Sequence, residues 1–479
     1  MSSSVVNRVL YGGAVLNVAY VISQVGAVAY WLAVTRLVPN LHVVDTIALL
    51  LALVSSVTTI DVFASVQVVA RMLAEDCAKL GQLLLLASGT GLVLAILLTV
   101  TLAYGKLSLA LVAYTVLLCA IAQVARVCAS ALLGTRLFET YLKVSLVATM
   151  VKITLALALA YAIASLGQVF PTVAVTVLSL PYVAYWLAVS LPSLFTYRKC
   201  VKYCSNTLQT RRVVYFALTY LPTSLETLLV VALPLFAHGL GTGLCTVLYL
   251  TGMIVLGLSS FFANTLLSVL PHYRDVATRS YAQLCSCTLL IATVTVLVAE
   301  AYAPAILTLF SSRLGHFGNI LRLLLPLALF QTSVLAGQVH EARRLAIARL
   351  GILNTTASIL AITYLALAYI TNLPIDITVI ALPLSKLPAV AYVHYVFHRE
   401  GVEPRQVVKM LFEQLLVLAL AIVQVFLLLS PVLYLVAIVP VVCINIPEIH
   451  AITTAVSCLI KQLTVKTHGD EEDTRRYHT

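Results

Sequence analysis

Five ionisable side chains stand out inside long apolar runs of this chain: Asp61, Arg126, Lys152, Glu226 and Lys386. A charge near the centre of a bilayer costs about 2.5–3.5 kcal/mol even on lenient insertion scales, so each needs a partner or a wet cavity. The acids could take up a proton or a metal cation, and the cations could hold an anionic headgroup. At ~1.5 Å of rise per residue, Asp61 and Arg126 lie roughly 15 Å from the basic ends of their runs, and Lys152 about 14 Å beyond Lys143. Glu226 and Lys386 lie deeper, at about 20 Å. Arg126 is close enough to a membrane face to snorkel. Lys386 is expected to bond a nearby polar group, whereas the other four favour a cavity.

Polar stripes at helical spacing accompany these charges. The first apolar run carries Asn17, Tyr20 and Gln24; the second Thr58, Asp61 and Ser65; the seventh Thr219, Thr223 and Glu226; the eighth Ser260, Asn264 and Ser268. Separations of three, four and seven place each set on one helix face. Hydroxyls alone commonly bond across packed helices. The four runs at 9 to 35, 42 to 70, 213 to 238 and 242 to 271 are expected to line one central cavity, because their polar stripes would otherwise face lipid at a cost. The candidate substrate-binding residues are therefore Asn17, Tyr20, Gln24, Asp61, Arg126, Lys152, Glu226 and Asn264.

The elements that must position them are apolar runs of about 20–28 residues, the length of a membrane-crossing helix. Fourteen are readable: 9 to 35, 42 to 70, 82 to 104, 107 to 133, 144 to 167, 170 to 196, 213 to 238, 242 to 271, 283 to 303, 318 to 339, 350 to 371, 374 to 397, 410 to 429 and 431 to 460. Of the 29 Lys and Arg residues, 22 fall in every second gap or at the termini. The intervening gaps carry only Arg36, Lys106 and Arg313, with Arg322 just inside a helix. By the positive-inside rule both termini are cytoplasmic. The fold class expected is an all-α polytopic membrane protein, with two six-helix bundles around a central cavity plus a C-terminal helix pair.

Composition agrees, with 61% hydrophobic and 10% charged residues and a mean hydropathy of +1.04. The net charge of +11 is scattered over short loops rather than gathered on one face, which disfavours nucleic acid as a partner. The first run lacks the short apolar core and cleavage site of a signal peptide and reads as a permanent anchor. None of the ten cysteines lies in a clear exterior loop, and Cys200 and Cys204 have no second pair to complete a zinc site, so free thiols and no metal are expected. Nucleophile-elbow, HExxH, Walker and paired-acid DxD patterns are absent. No gap is long enough for a nucleotide-binding domain. A non-enzymatic transporter without a cofactor is expected.

The basic stretch Tyr197 to Arg212, YRKCVKYCSNTLQTRR, divides the chain. The expected domains are an N-terminal bundle (1–197), a linker (198–212), a second bundle (213–400), an additional helix pair (401–460) and a polar cytoplasmic tail (461–479). At an offset of 203, Arg71 meets Arg274, Asp61 meets Asn264 and Ser65 meets Ser268. Six spans is an even number, so such halves would be parallel repeats with substrate between them.

The stretch TTIDVFASVQVVARMLAED, with Asp61, resembles the Asp-x-Gly stretch of the polysaccharide-transporter branch of the multidrug/oligosaccharidyl-lipid/polysaccharide exporter superfamily. LYLTGMIVLGLSSFFANTLLSVLPHYRD, with Tyr249 and Pro271, is similar to that family's Tyr-rich helix closing on a Leu-Pro turn. The six-plus-six-plus-two layout and the basic central loop match as well. Phe63 stands where the family usually has Gly, and Ala232 and Leu233 stand where an acid is common. The resemblance implies a flippase that moves a polyprenyl-linked oligosaccharide across the cell membrane by alternating access, for polysaccharide or glycoconjugate assembly. Its partners would be that substrate, membrane lipids, and H⁺ or Na⁺. The alternatives are a proton- or sodium-coupled multidrug or cation antiporter of the same superfamily and, in another class, a membrane-embedded glycan-processing enzyme.

Reporter fusions after Lys79, Lys143 and Lys202 are expected to report the cytoplasm, and fusions near Lys106 and Arg313 the exterior. An exterior signal from the 197–212 loop would overturn the topology.

Overall fold

The computed structural model describes residues 3–61, 69, 80–102, 106–134, 137–167, 169–196, 225, 227–237, 239–267, 278–343, 349–427, 430–450 and 453. Among these, all regular structure is helical. The first half of the chain forms α1 (Ser3–Leu37), α2 (Leu41–Ile60), α3 (Leu80–Leu102), α4 (Leu109–Gly134), α5 (Phe138–Leu166) and α6 (Pro171–Thr196). After a described helical piece at 227–231 and a 3₁₀ turn, Leu233–Phe236, come α7 (Leu244–Leu267) and α8 (Thr278–Ala301). The chain continues through α9 (Ala303–Phe310), a 3₁₀ turn, Ser312–Phe317, α10 (Gly318–Arg343), α11 (Arg349–Ile370) and α12 (Ile375–Ser385). It ends with α13 (Leu387–Arg399), α14 (Pro404–Leu427) and α15 (Pro431–Ile444). Twelve spans among the described residues are long and apolar enough to cross a membrane, and α15 is a shorter apolar helix. Most of the expected seventh span, the basic linker and the tail lie outside the described residues.

Hydropathy explains which helices stand where. α3, α5, α11 and α15 leave Leu85, Met150, Leu360 and Val432 exposed, an apolar surface that suits lipid. In α2 and α10 almost every side chain is buried. α2 is apolar almost all round, and such a helix belongs inside a bundle, surrounded by other helices; α10 is buried too, although it carries Arg322, Gln331 and His340. α2 starts at Asn40, whose side chain accepts from His42 N, satisfying one of the free donors of a helix N-terminus. It ends at Ile60, capped by Asp61.

α12 and α13 form one expected span, broken at Lys386. Pro383 and Pro388 flank the break, each lacking an N–H for the helix ladder. Within α10, Gly337 lets α13 approach closely: a Cβ there would fall 2.4 Å from Val393 Cγ2. The two halves meet chiefly where α2 and α1 pack on α7.

One end of the molecule is tied across the halves. Asp45 of α2, fully buried, accepts from Gly241 N and Gly243 N at 2.9 Å each, and from Thr246 N at 3.0 Å and Thr246 Oγ1 at 2.6 Å. Thr246 lies in the first turn of α7, so a carboxylate faces the positive end of a helix dipole. Gly241 and Gly243 have φ of 96° and 85°, in the left-handed region that glycine adopts freely, and so present successive N–H groups to one anion. Around this knot, Arg36 donates to the Leu309 carbonyl at 2.7 Å and Arg313 to the Pro39 carbonyl at 3.0 Å. Lys106 donates to the carbonyls of Leu235 and Ala237, at 2.9 and 3.1 Å. The three cations expected outside thus share one end.

Asp45→Asn places an amide NH₂ against N–H donors and removes the charge. The expected loss is about 2–3 kcal/mol, read as a fall of a few degrees in the Tm of the detergent-solubilised protein. An unchanged Tm would show that the knot does not hold the halves.

Candidate functional site

The closest approach of α1 to α5 builds the site. Gly26 stands opposite Thr149, and a Cβ there would fall 2.5 Å from Thr149 Cγ2. Lys152 is three residues further along α5 and therefore on the same face. Its side chain is 5% exposed and ends 3.8 Å from the ring centre of Tyr182, 5.5 Å from that of Tyr185 and 5.6 Å from that of Tyr30. An ammonium within about 6 Å of an aromatic face is attracted by the ring quadrupole. Among the described residues no hydrogen bond or ion pair engages Lys152.

The rings are held by their own contacts. Tyr30 donates to the Leu178 carbonyl at 2.8 Å and packs edge-on against Trp31 and Tyr182, with centroids 5.4 and 4.7 Å away. Trp31 in turn meets Tyr249 of α7 at 5.2 Å. This aromatic cluster bridges the two halves beside a cavity of about 250 Å³. α1, α2, α5 and α6 line it from the first half, and Val231 and α7 from the second. Lys152 is its one charge among the described lining residues, beside Gln24, Ser23 and Ser55. The Ser23 and Tyr185 hydroxyls are 3.4 Å apart.

The eight expected site residues divide into four groups. Gln24 and Lys152 line the cavity. Tyr20 is one turn from Gln24; its hydroxyl contacts the carbonyls of Leu256 and Gly257 at 3.4 and 3.3 Å, so the α1 stripe faces α7. Asn17, on the same stripe, has a buried Oδ1 without a partner. Asp61 and Arg126 are brought together elsewhere, inside the first half. Asp61, 2% exposed, accepts from Thr90 of α3 at 2.9 Å, and Arg126 of α4 donates to the Thr58 carbonyl at 2.6 Å. Gln123 reaches the Val57 carbonyl at 3.4 Å. α4 therefore supplies donors, one of them cationic, to carbonyls at the negative end of α2. Neither Asp61 nor Arg126 is among the cavity-lining residues. Glu226 lies outside the described residues, together with Thr219, Thr223, Ser65 and Ser268, and the side chain of Asn264 is likewise not described.

Lys386 is fully buried and donates to Asn354 Oδ1 at 2.7 Å and Ser358 Oγ at 3.1 Å, the structural partnership expected of it. The described cysteines are free thiols. No group of three His, Cys, Asp or Glu side chains among the described residues is arranged to hold a metal. Sequence reasoning passed over Asp45, although the alternate glycines Gly239, Gly241 and Gly243 mark a turn that offers N–H groups. It also passed over Glu300, Glu413 and Glu448, acids within apolar runs, and read Lys409 as a loop cation although it is buried against Glu448.

No protein-family model matches the chain, and no curated protein does. Solved structures do. The lipid II flippase MurJ in an inward closed conformation is 12% identical, with a TM-score of 0.57, and the match covers 93% of this chain and 99% of MurJ. A MOP-superfamily transporter from Pyrococcus furiosus, described by the reverse polarity of its binding pocket, is 15% identical with a TM-score of 0.53, covering 83% and 97% of the two chains. An inward-facing multidrug resistance transporter of the MATE family is 14% identical with a TM-score of 0.53, covering 82% and 98%. This all-helical membrane chain therefore has the fold of the MOP-superfamily transporters, shared by MATE exporters and the MurJ flippase.

Proposed function

We propose that the protein is a flippase that carries a polyprenyl-linked oligosaccharide across the cell membrane by alternating access between its two halves. The observation that carries this reading is the sign of the cavity. Its one charge among the described lining residues is the Lys152 ammonium, and tyrosines surround it. A lipid-linked sugar presents an anionic phosphate, which bonds an ammonium strongly, and sugar rings, which stack on aromatic faces. The likeness to a lipid II flippase spans 93% of this chain, against 82–83% for the two other transporters described above, and supports the same reading.

At about 250 Å³ the cavity falls below the ~300–1,000 Å³ of common small-molecule pockets. It fits a phosphate or a single sugar. A larger headgroup requires the halves to part, which is the motion that alternating access supplies. The lipid tail would remain in the bilayer.

A second reading, a proton- or sodium-coupled cation antiporter, is favoured by the buried Asp61 beside Thr90 and by the fold shared with a multidrug transporter. In that case Asp61 would be the coupled acid and Lys152 would repel the substrate. The two readings differ in which charge transport needs.

Lys152→Met keeps most of the stem and deletes the charge, so expression and folding are expected to survive. Transport of a labelled lipid-linked oligosaccharide in vesicles is expected to fall about ten- to a hundredfold, the equivalent of one charge-assisted bond of ~1.5–3 kcal/mol. Neutralising Asp61 or Glu226 in the same protein is not expected to rescue it, whereas rescue would make Lys152 half of an ion pair. Wild-type transport by Lys152→Met would remove the residue from the site. Cation efflux abolished by Asp61→Asn, with no lipid-linked transport in the wild type, would replace the flippase reading with the antiporter.

A further inference from the structure

Away from the cavity, α8, α14 and the end of α15 enclose a second polar cluster. Lys409 and Glu413 are one turn apart on α14, and Asn445 and Glu448 three apart where α15 ends, so each pair shares a face. Lys409 and Glu448 form an ion pair. Asn445 Nδ2 donates to Glu413 Oε1 at 2.6 Å and to the Val441 carbonyl at 2.7 Å. Ser286 of α8 reaches Glu448 Oε1 at 3.5 Å, and Thr293, two turns on, lies beside Glu413. Glu413, Asn445, Ser286 and Thr293 are fully buried, and Lys409 and Glu448 are each 8% exposed.

Two features of the cluster are incomplete. Among the described residues one ammonium faces two carboxylates, which, when both are ionised, leaves a net charge of about −1 in a low-dielectric interior, where uncompensated charge is strongly destabilising. In addition, Glu448 Oε2 and Asn445 Oδ1 are buried without a hydrogen-bond partner, and Glu413 Oε2 has only the Thr293 hydroxyl to turn to. Nearly all buried polar atoms are bonded, so two unpartnered oxygens beside an under-compensated pair of carboxylates call for an explanation.

Among the described residues, the cations of α10, α12 and α13 do not fill the gap. Arg322 of α10 is held on the Glu300 carbonyl, His340 of α10 pairs with Glu400, and Lys386 is held on Asn354 and Ser358. His394 of α13 bonds Gln414, and Cys287 of α8, near Glu448 and Lys409, supplies no positive charge. The unfilled donor set is entirely oxygen. Such a set suits a hard cation or a proton rather than a thiophilic metal.

We propose that Glu413, Glu448, Asn445 and Thr293 form a binding site for one small positive charge, a proton or Na⁺, between α8 and the last helix pair. Either ligand neutralises the cluster, and they differ in what they use. A proton needs one carboxylate. Na⁺ also needs the hydroxyl and amide oxygens.

The site is tested by binding alone, so its result is independent of what the protein transports. The purified full-length protein in detergent is titrated with NaCl against KCl while Tm is followed, because a ligand that binds only the folded state raises Tm. In parallel, the infrared band of protonated carboxyl is followed from about pH 9 to about pH 5. A Na⁺ site predicts a Na⁺-specific rise in Tm that is lost in Glu413→Gln and weakened in Thr293→Val. A proton site predicts a carboxyl band that grows on acidification, disappears in Glu413→Gln and persists in Thr293→Val. Glu448→Gln leaves Lys409 and Glu413 as a neutral pair and abolishes either response, so the test stands even if Glu413→Gln fails to fold. A wild type that shows neither response, or a response that survives the folded glutamine variants, overturns the proposal.

Discussion

The four hydrogen bonds on Asp45 are the interaction on which the rest of the arrangement depends. Asp45 is buried away from water, so its carboxylate must find all its donors within the protein. The donors come from the turn and first residues of α7, across the boundary between the halves. That fixes α7 against α2 at one end. Tyr20 then meets Leu256 and Gly257, Tyr249 meets Trp31, and the space enclosed further along becomes a cavity lined from both sides.

The same constraint sorts the buried charges. Each finds a different kind of company: Asp45 a helix start, Arg126 a helix end, Lys386 an amide and a hydroxyl, and Lys152 a set of tyrosine rings. The first three are bonded to groups fixed in the fold, and such bonds hold a structure still. Lys152 is held by ring faces, which attract without saturating the ammonium's three donors. Its donors stay unsaturated among the described residues, and the role proposed for Lys152 rests on this difference in bonding.

Much of this was legible in the residues. Most of the described apolar runs end close to the observed helices, because span length is set by bilayer thickness and needs no tertiary information; the second, expected to reach residue 70, stops at Ile60, where Asp61 caps α2. Lys152 stood out because an ammonium in an apolar run is expensive wherever its neighbours lie. Periodicity also gave the face of α1 that carries Tyr20 and Gln24. It could not say which helix each face would meet, and so the partners of Asp61 and Arg126, Thr90 of α3 and the Thr58 carbonyl, were not legible. Lys409 was read as a loop cation because near a helix end a snorkelling lysine and a paired one have the same sequence. Their difference is the Glu448 carboxylate, 39 positions away and on another helix.

The bond between Asp45 and Thr246 also has a meaning in time. The two residues are 201 positions apart, and translation adds about 5–20 residues per second. Asp45 therefore enters the membrane some ~10–40 s before its partners are made. Until then α2, whose side chains are buried almost throughout in the finished protein, has only the helices synthesised soon after it for cover. The first half must either hold that carboxylate near a wet membrane face or carry it protonated, and the arrival of α7 ends the wait. The knot that joins the halves is thus also the step at which the newborn chain commits to its final packing, and biogenesis is most exposed to failure in the interval before it.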